Sequence, residues 1–189
     1  MINIEKNPTS TRRVKLIDLM NRLENENKNC FSCKGYCCTY EHNSMLVTPI
    51  EAWDVYLYLK SQNMITDKLI QRIKNTINEY RLDKELFIGN GREFRRNYTC
   101  PFFNMGPKGC SIAPESKPYG CLGFNPLEKG VSFQGKCTSY VEELEQQDLL
   151  NKHNDEALNA QVKESLSLYW DKKNLPVAVL EIVDNMASK

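Results

Sequence analysis

Four of the chain's eight cysteines fall within nine residues, in the order Cys30-x2-Cys33-x3-Cys37-Cys38. No other feature restricts the fold as tightly. Two intervening residues let one turn aim the sulfurs of Cys30 and Cys33 at a common point. The other four, Cys100, Cys110, Cys121 and Cys137, are spread along a second stretch. Thiolate is the soft ligand that selects zinc, iron–sulfur clusters or Cu(I). A tetrahedral zinc site or a cubane cluster takes four thiolates, so eight cysteines suffice for two sites, or for one with the rest structural. All eight are therefore candidate metal ligands. Adjacent side chains tend to diverge, so at least one of Cys37 and Cys38 is expected to serve a different site from its neighbour. That favours sites mixing the two sets, in which metal closes the 61-residue gap between Cys38 and Cys100.

The alternative use of eight cysteines is a disulfide framework, and the choice turns on compartment. The opening residues Met1-Ile2-Asn3-Ile4-Glu5-Lys6 contain no secretory apolar run, and no stretch approaches the roughly 18–20 apolar residues of a membrane span. The expected location is the cytoplasm, with no membrane association. Clustered cysteines there hold metal or do redox chemistry more often than they form lasting disulfides. A chain of 189 residues can also bury a core without depending on cross-links. A formal net charge of +1 leaves no overall footprint for nucleic acid.

The surroundings of the cysteines suit ionised thiols. Between residues 92 and 137 stand seven basic residues (Arg92, Arg95, Arg96, Lys108, Lys117, Lys129, Lys136) against Glu93, Glu115 and Glu128, a local net charge of +4. Cations beside thiols favour the thiolate; the same charges read equally well as a solvated loop surface. Tyr98, Phe102, Phe103, Tyr119, Phe124 and Phe133 flank the second set and are expected to keep water from it. His42, Glu41 and Glu51 offer non-sulfur ligands, though a histidine in so polar a stretch is more often simply surface. No phosphate loop, dinucleotide fingerprint, zinc-protease helix or nucleophile elbow is present.

Helical periodicity governs the rest. Val14, Leu16, Ile17, Leu19, Met20 and Leu23 form an apolar stripe predicting a helix over 11–27. Thr48-Pro49-Ile50-Glu51 reads as a capping box with proline at the first helical position, opening a helix to about Ser61. Another is expected from the Thr66 cap to about Leu82. Residues 87–137 hold eight of the nine glycines and five of the eight prolines, which predicts loops and short strands. Metal bonds would supply the order that so much irregular backbone lacks. Helices are expected over 140–152, after a weak Ser139-x-x-Glu142 capping box, over 155–171 and over 176–187. The predicted fold is mainly α, a small helical body carrying a cysteine-rich, irregular metal-binding region. Its parts are an N-terminal helix in 1–29, a cysteine-cluster domain in 30–137, and C-terminal helices in 138–189 packing on that domain.

Taken together, the cysteine sets resemble the YkgJ-like family of zinc- or iron-chelating cysteine-cluster domains. The resemblance rests on Cys30-x2-Cys33-x3-Cys37-Cys38, Cys100-Pro101-Phe102-Phe103, Cys110-Ser111-Ile112 and Pro118-x2-Cys121-x2-Phe124, and it covers residues 30–137. The helix start at Thr48-x-x-Glu51 also fits. One departure is clear: where the family has Arg-Pro-x-x-Cys-Arg, this chain has Lys117 and Leu122 at the two arginine positions. Lysine lacks the planar guanidinium fork and leucine cannot pair at all. The resemblance implies chelation through the eight cysteines. Some relatives resemble flagellin lysine N-methylases and carry iron–sulfur oxidoreductase labels, which favours an iron–sulfur cluster over Zn2+ by analogy. Three functions follow as expectations: a metal-binding protein, an iron–sulfur enzyme doing redox or methyl-transfer chemistry on a protein lysine, and a zinc-stapled module for a protein partner. Methyl transfer would need a site for S-adenosylmethionine, for which the chain shows no glycine-rich motif.

Overall fold

The computed structural model describes residues 10–23, 35–84, 86–88, 92–93, 95–104, 109–126 and 137–188. Cys30, Cys33, Phe133 and the predicted helical residues 24–27 lie outside them. The chain is mainly helical, as its periodicity predicts: α1 (Ser10–Leu23), α2 (Pro49–Ser61), α3 (Asp67–Tyr80), α4 (Tyr119–Leu122), α5 (Val141–Leu166) and α6 (Leu175–Ala187). Among the described residues no helix is long and apolar enough to cross a membrane.

The central element is α2. Pro49 through Tyr56 and Leu59 are all buried, and a helix covered on every side belongs in the core. Its start is the predicted capping box, with Glu51 accepting hydrogen bonds from Thr48 N–H and Oγ–H, each at 2.9 Å. A further free donor of the first turn, Ile50 N–H, finds Asn159 Oδ1 on α5 at 2.9 Å. The predicted Thr66 cap is also present, its Oγ1 accepting from Leu69 N–H at 3.3 Å. Helix α6 packs on α2 and α3, and α5 packs on α2. Val55, Leu59, Ile73, Leu166, Val179 and Ile182 fill the space between. Each such side chain contributes about 1.5–3 kcal/mol by leaving water.

Three helix predictions need correction. The expected break near residue 153 is absent, and α5 runs unbroken from Val141 to Leu166. Lys152, His153 and Asn154 are polar but include no glycine or proline to interrupt hydrogen bonding. The helix stops before 171 because Ser167 turns left-handed, at φ 53°. The Ser139 cap is not used either: Ser139 pairs in a strand, Tyr140 precedes the helix, and no side chain caps it. On α1 the apolar stripe is rotated from the predicted one. Leu16 and Met20 are buried while Val14 is 53% exposed, and Arg12 and Arg13 are buried at 5% and 1% exposure.

The glycine- and proline-rich stretch forms short strands and turns, as composition predicts. β2 (Phe87–Ile88) pairs antiparallel with β3 (Arg92–Glu93), and β4 (Phe124–Pro126) with β5 (Cys137–Ser139), placing Cys137 opposite Pro126. β1 (Leu46–Val47) pairs antiparallel with β6 (Lys173–Asn174), tying the segment after the first cysteines to the start of α6.

Candidate functional site

Six cysteines from separate parts of the chain line one cavity of about 300 Å³: Cys37, Cys38, Cys100, Cys110, Cys121 and Cys137. Local backbone chemistry explains how each arrives. Cys37 and Cys38 lie on a 3-10 turn (Tyr36–Cys38) closed by Cys38 N–H donating to Gly35 C=O at 2.8 Å. Gly35 has φ +74°, and a Cβ there would sit 2.6 Å from the Phe103 ring, so only glycine allows this turn to seat against the second cysteine set. Cys100 N–H donates to Cys38 C=O at 2.8 Å, which joins the two sets directly through backbone. Cys110 is placed by a small loop, where Phe103 bridges antiparallel to Cys110 and Ser111 N–H donates to Phe102 C=O at 2.8 Å.

Cys121 sits on α4, whose N-terminus is fastened by the same Glu51 that starts α2. Tyr119 N–H donates to Glu51 Oε1 at 2.9 Å. Glu51 thus has both oxygens engaged and is not an open metal ligand. Gly120 and Gly123 allow close packing here, since a Cβ at either would fall 2.8 Å from Met45 or Leu144.

Cys37 and Cys38, expected to diverge, face the same cavity, because the tight turn brings neighbouring sulfurs within hydrogen-bonding reach of each other. Cys38 is the deeper of the two, 7% exposed. Hydrogen bonds with Cys100, Cys110 and Cys37, in that order, push the Cys38 thiol far above its ordinary value. The complementary groups move the other way. Its hydrogen bond with Cys38 brings Cys110 down to about 6, with help from the Lys117 charge and against the opposing effect of burial. Cys37 is lowered by the same partner and the same lysine. Burial, then the charge of Cys37, holds Cys121 well up. The Cys38 hydrogen bonds and the Lys117 charge thus favour the thiolate at Cys37 and Cys110, while hydrogen bonding disfavours it at Cys38 and burial disfavours it at Cys121. None of Cys37, Cys38, Cys100, Cys110 and Cys121 is in a disulfide.

The expected aromatic surround is present in part. Tyr98 and Phe102 are fully buried and Tyr119 nearly so. Tyr98 is held at both ends: its hydroxyl donates to Met45 C=O at 2.7 Å, and its amide donates to Asn43 C=O at 2.9 Å. His42 is exposed, with its ring against Phe124, and lines a neighbouring cavity rather than the cysteine cavity. Glu41 is exposed as well.

Sequence reasoning missed the arginines of α1. Arg13 Nη1 donates to Asp54 Oδ2 at 2.6 Å, in an ion pair with both side chains 1% exposed. Its Nε donates to Lys117 C=O at 2.8 Å, fixing the turn ahead of Cys121. Arg12 bridges Asp148 and Asp155 on α5 and lies over the Tyr119 ring, 3.7 Å from its centroid. The signal was present: Arg13 falls in helical phase with Leu16 and Met20 on the buried stripe. Arg12 and Arg13 thus bring two guanidinium groups from α1 beside the segment that carries Cys121.

The neighbouring cavity, about 520 Å³, shares Cys37 and Cys121 as wall residues with the cysteine cavity. Arg12, Glu51, Asp155 and Tyr119 also line it.

Among the described residues no three His, Cys, Asp or Glu side chains are already drawn together as a set that could hold a metal ion. The cavity offers the chemistry of a metal site without its closure: soft sulfur beside a cation. No family model matches the chain, and no curated protein or solved structure does so either.

Proposed function

We propose that this protein binds a metal through its cysteines, as an iron–sulfur cluster or as Zn2+. The observation that carries the reading is the convergence of Cys37, Cys38, Cys100, Cys110, Cys121 and Cys137 on one cavity with Lys117 among them. Thiols of this number, gathered from both cysteine sets and held as thiols rather than disulfides at Cys37, Cys38, Cys100, Cys110 and Cys121, are the donor set that soft metals take. Cys30 and Cys33 complete the proposed ligand list. A zinc ion would fasten the loops; a cluster would add electron transfer. The iron–sulfur form is preferred on the family resemblance.

A second reading draws on the shared wall of the two cavities. A substrate in the larger one would lie beside Cys37 and Cys121, so the centre would be an iron–sulfur enzyme acting on a protein side chain by redox or methyl-transfer chemistry. A colourless zinc-stapled module that presents a surface to a protein partner is the remaining alternative.

The test is metal content, acid-labile sulfide and visible absorption of protein purified without oxygen. Brown protein with about four iron and four sulfide per cluster supports the first form. Colourless protein holding zinc moves the conclusion to the structural form. Protein holding neither, and taking up neither on reconstitution, overturns the reading.

A further inference from the structure

Four thiolates around a divalent ion or a cubane cluster leave about two negative charges on the site. Negative charge in a partly buried cavity is costly unless a cation stands close. The structure offers one in a defined place. Lys117 lines the cysteine cavity, half-buried, next to Cys37, Cys38, Cys110 and Cys121. Its backbone is held on both sides, by Arg13 Nε on its carbonyl at 2.8 Å and by its own amide on Pro114 C=O at 3.2 Å. Among the described residues no carboxylate pairs with its ammonium group, and it shares the cavity wall with the cysteine side chains. Arg95 and Arg96, the other basic side chains of the 92–137 stretch that are described, do not line this cavity.

We propose that Lys117 is the fixed counter-charge of the cysteine site, a positioning residue whose ammonium group offsets the negative charge of the metal-bound thiolates. The inference rests on the metal-binding reading and adds the residue that makes such a site electrostatically tolerable. A lysine suits the role better than its neighbours because a compact ammonium on a flexible stem approaches several sulfurs without needing a planar partner.

The experiment uses the full chain, freed of metal under reducing conditions, with Cd2+ as a thiolate-seeking probe followed by its sulfur-to-metal absorption and by chelator competition. Lys117→Met and Lys117→Gln should each weaken Cd2+ binding by about tenfold, the loss of one close charge. Lys117→Arg should return affinity to within about threefold of the parent. A role in packing alone would rank the variants by shape; the counter-charge ranks them by charge, so the two neutral variants fall together. Far-ultraviolet circular dichroism of each metal-free variant keeps folding separate from binding, and should either neutral variant not fold, the other decides. Parent-like affinity in a folded neutral variant overturns the counter-charge while leaving the metal reading standing. Failure of the parent chain to bind Cd2+ or Zn2+ overturns both.

Discussion

Leu59 and Cys38 are both buried, yet what buries them differs in kind. Leu59 lies among aliphatic side chains from α2, α3, α5 and α6, where close packing and exclusion of water do the holding. Cys38 lies at the edge of the same core, on the wall of the cysteine cavity, with its backbone carrying the link to Cys100. One half of the molecule is stable through quantity of apolar surface; the other depends on a few polar contacts in set places. The lesson is that the cysteine half gains order from the helical half at named pins.

The sharpest way to break that arrangement is to pull the pin that joins both halves. Arg13→Ala removes the guanidinium paired with buried Asp54 and should cost about 3–5 kcal/mol. Denaturant unfolding measures it; a loss of less than about 1 kcal/mol, the range of an exposed pair, would mean that the halves do not depend on this contact. Leu59→Ala should cost about 2–5 kcal/mol through lost burial and a residual cavity, in metal-free and metal-loaded protein alike. A cost that changes markedly on loading would show that the two halves are not separable in this way.

Glu51→Ala is a smaller cut at the seam. It strands Tyr119 N–H and removes the helix-start contact to Thr48, for about 1–3 kcal/mol. Amide exchange at Tyr119 should quicken more than at Leu59, and equal change at both would argue against a local seam.

The smallest effect concerns the sulfurs alone. In metal-free protein, alkylation of Cys110 should rise with a midpoint at about pH 6, while Cys121 stays unreactive well above the usual thiol range. The sign is fixed by linkage: a thiol lowered by folding contributes stability above its unfolded value, and that stability is lost as pH falls through about 6. Mass-spectrometric mapping at successive pH values reads this directly. An ordinary midpoint at Cys110 would mean that the hydrogen bond from Cys38 does not operate.

How far the sequence could be read follows the same division. The helix starts at Thr48 and Thr66 were legible because a cap is a local bond between residues three apart. The length of α5 was not, because its end is a serine in a left-handed turn, a conformation that composition assigns to glycine. The helix runs on through residue 153, where no glycine or proline interrupts it and Arg12 spans Asp148 and Asp155 across it. The cysteines announced themselves by spacing, but their meeting depends on Gly35 against Phe103 and on Cys100 against Cys38, contacts between distant segments that no spacing encodes. Arg13 was legible in phase yet easily passed over, because a charged residue on an apolar stripe becomes informative only once Asp54 is seen opposite.

Glu51 carries a consequence for how such a chain can change. One carboxylate completes the first turn of α2 with one oxygen and that of α4 with the other. A glutamine would bring a single carbonyl oxygen to two claimants, and an aspartate would be one methylene short of both. The position therefore has almost no neighbours in mutational space, and the helix that carries Cys121 inherits that immobility. Drift in the surrounding loops can reshape the cavity far more readily than it can alter where Cys121 stands.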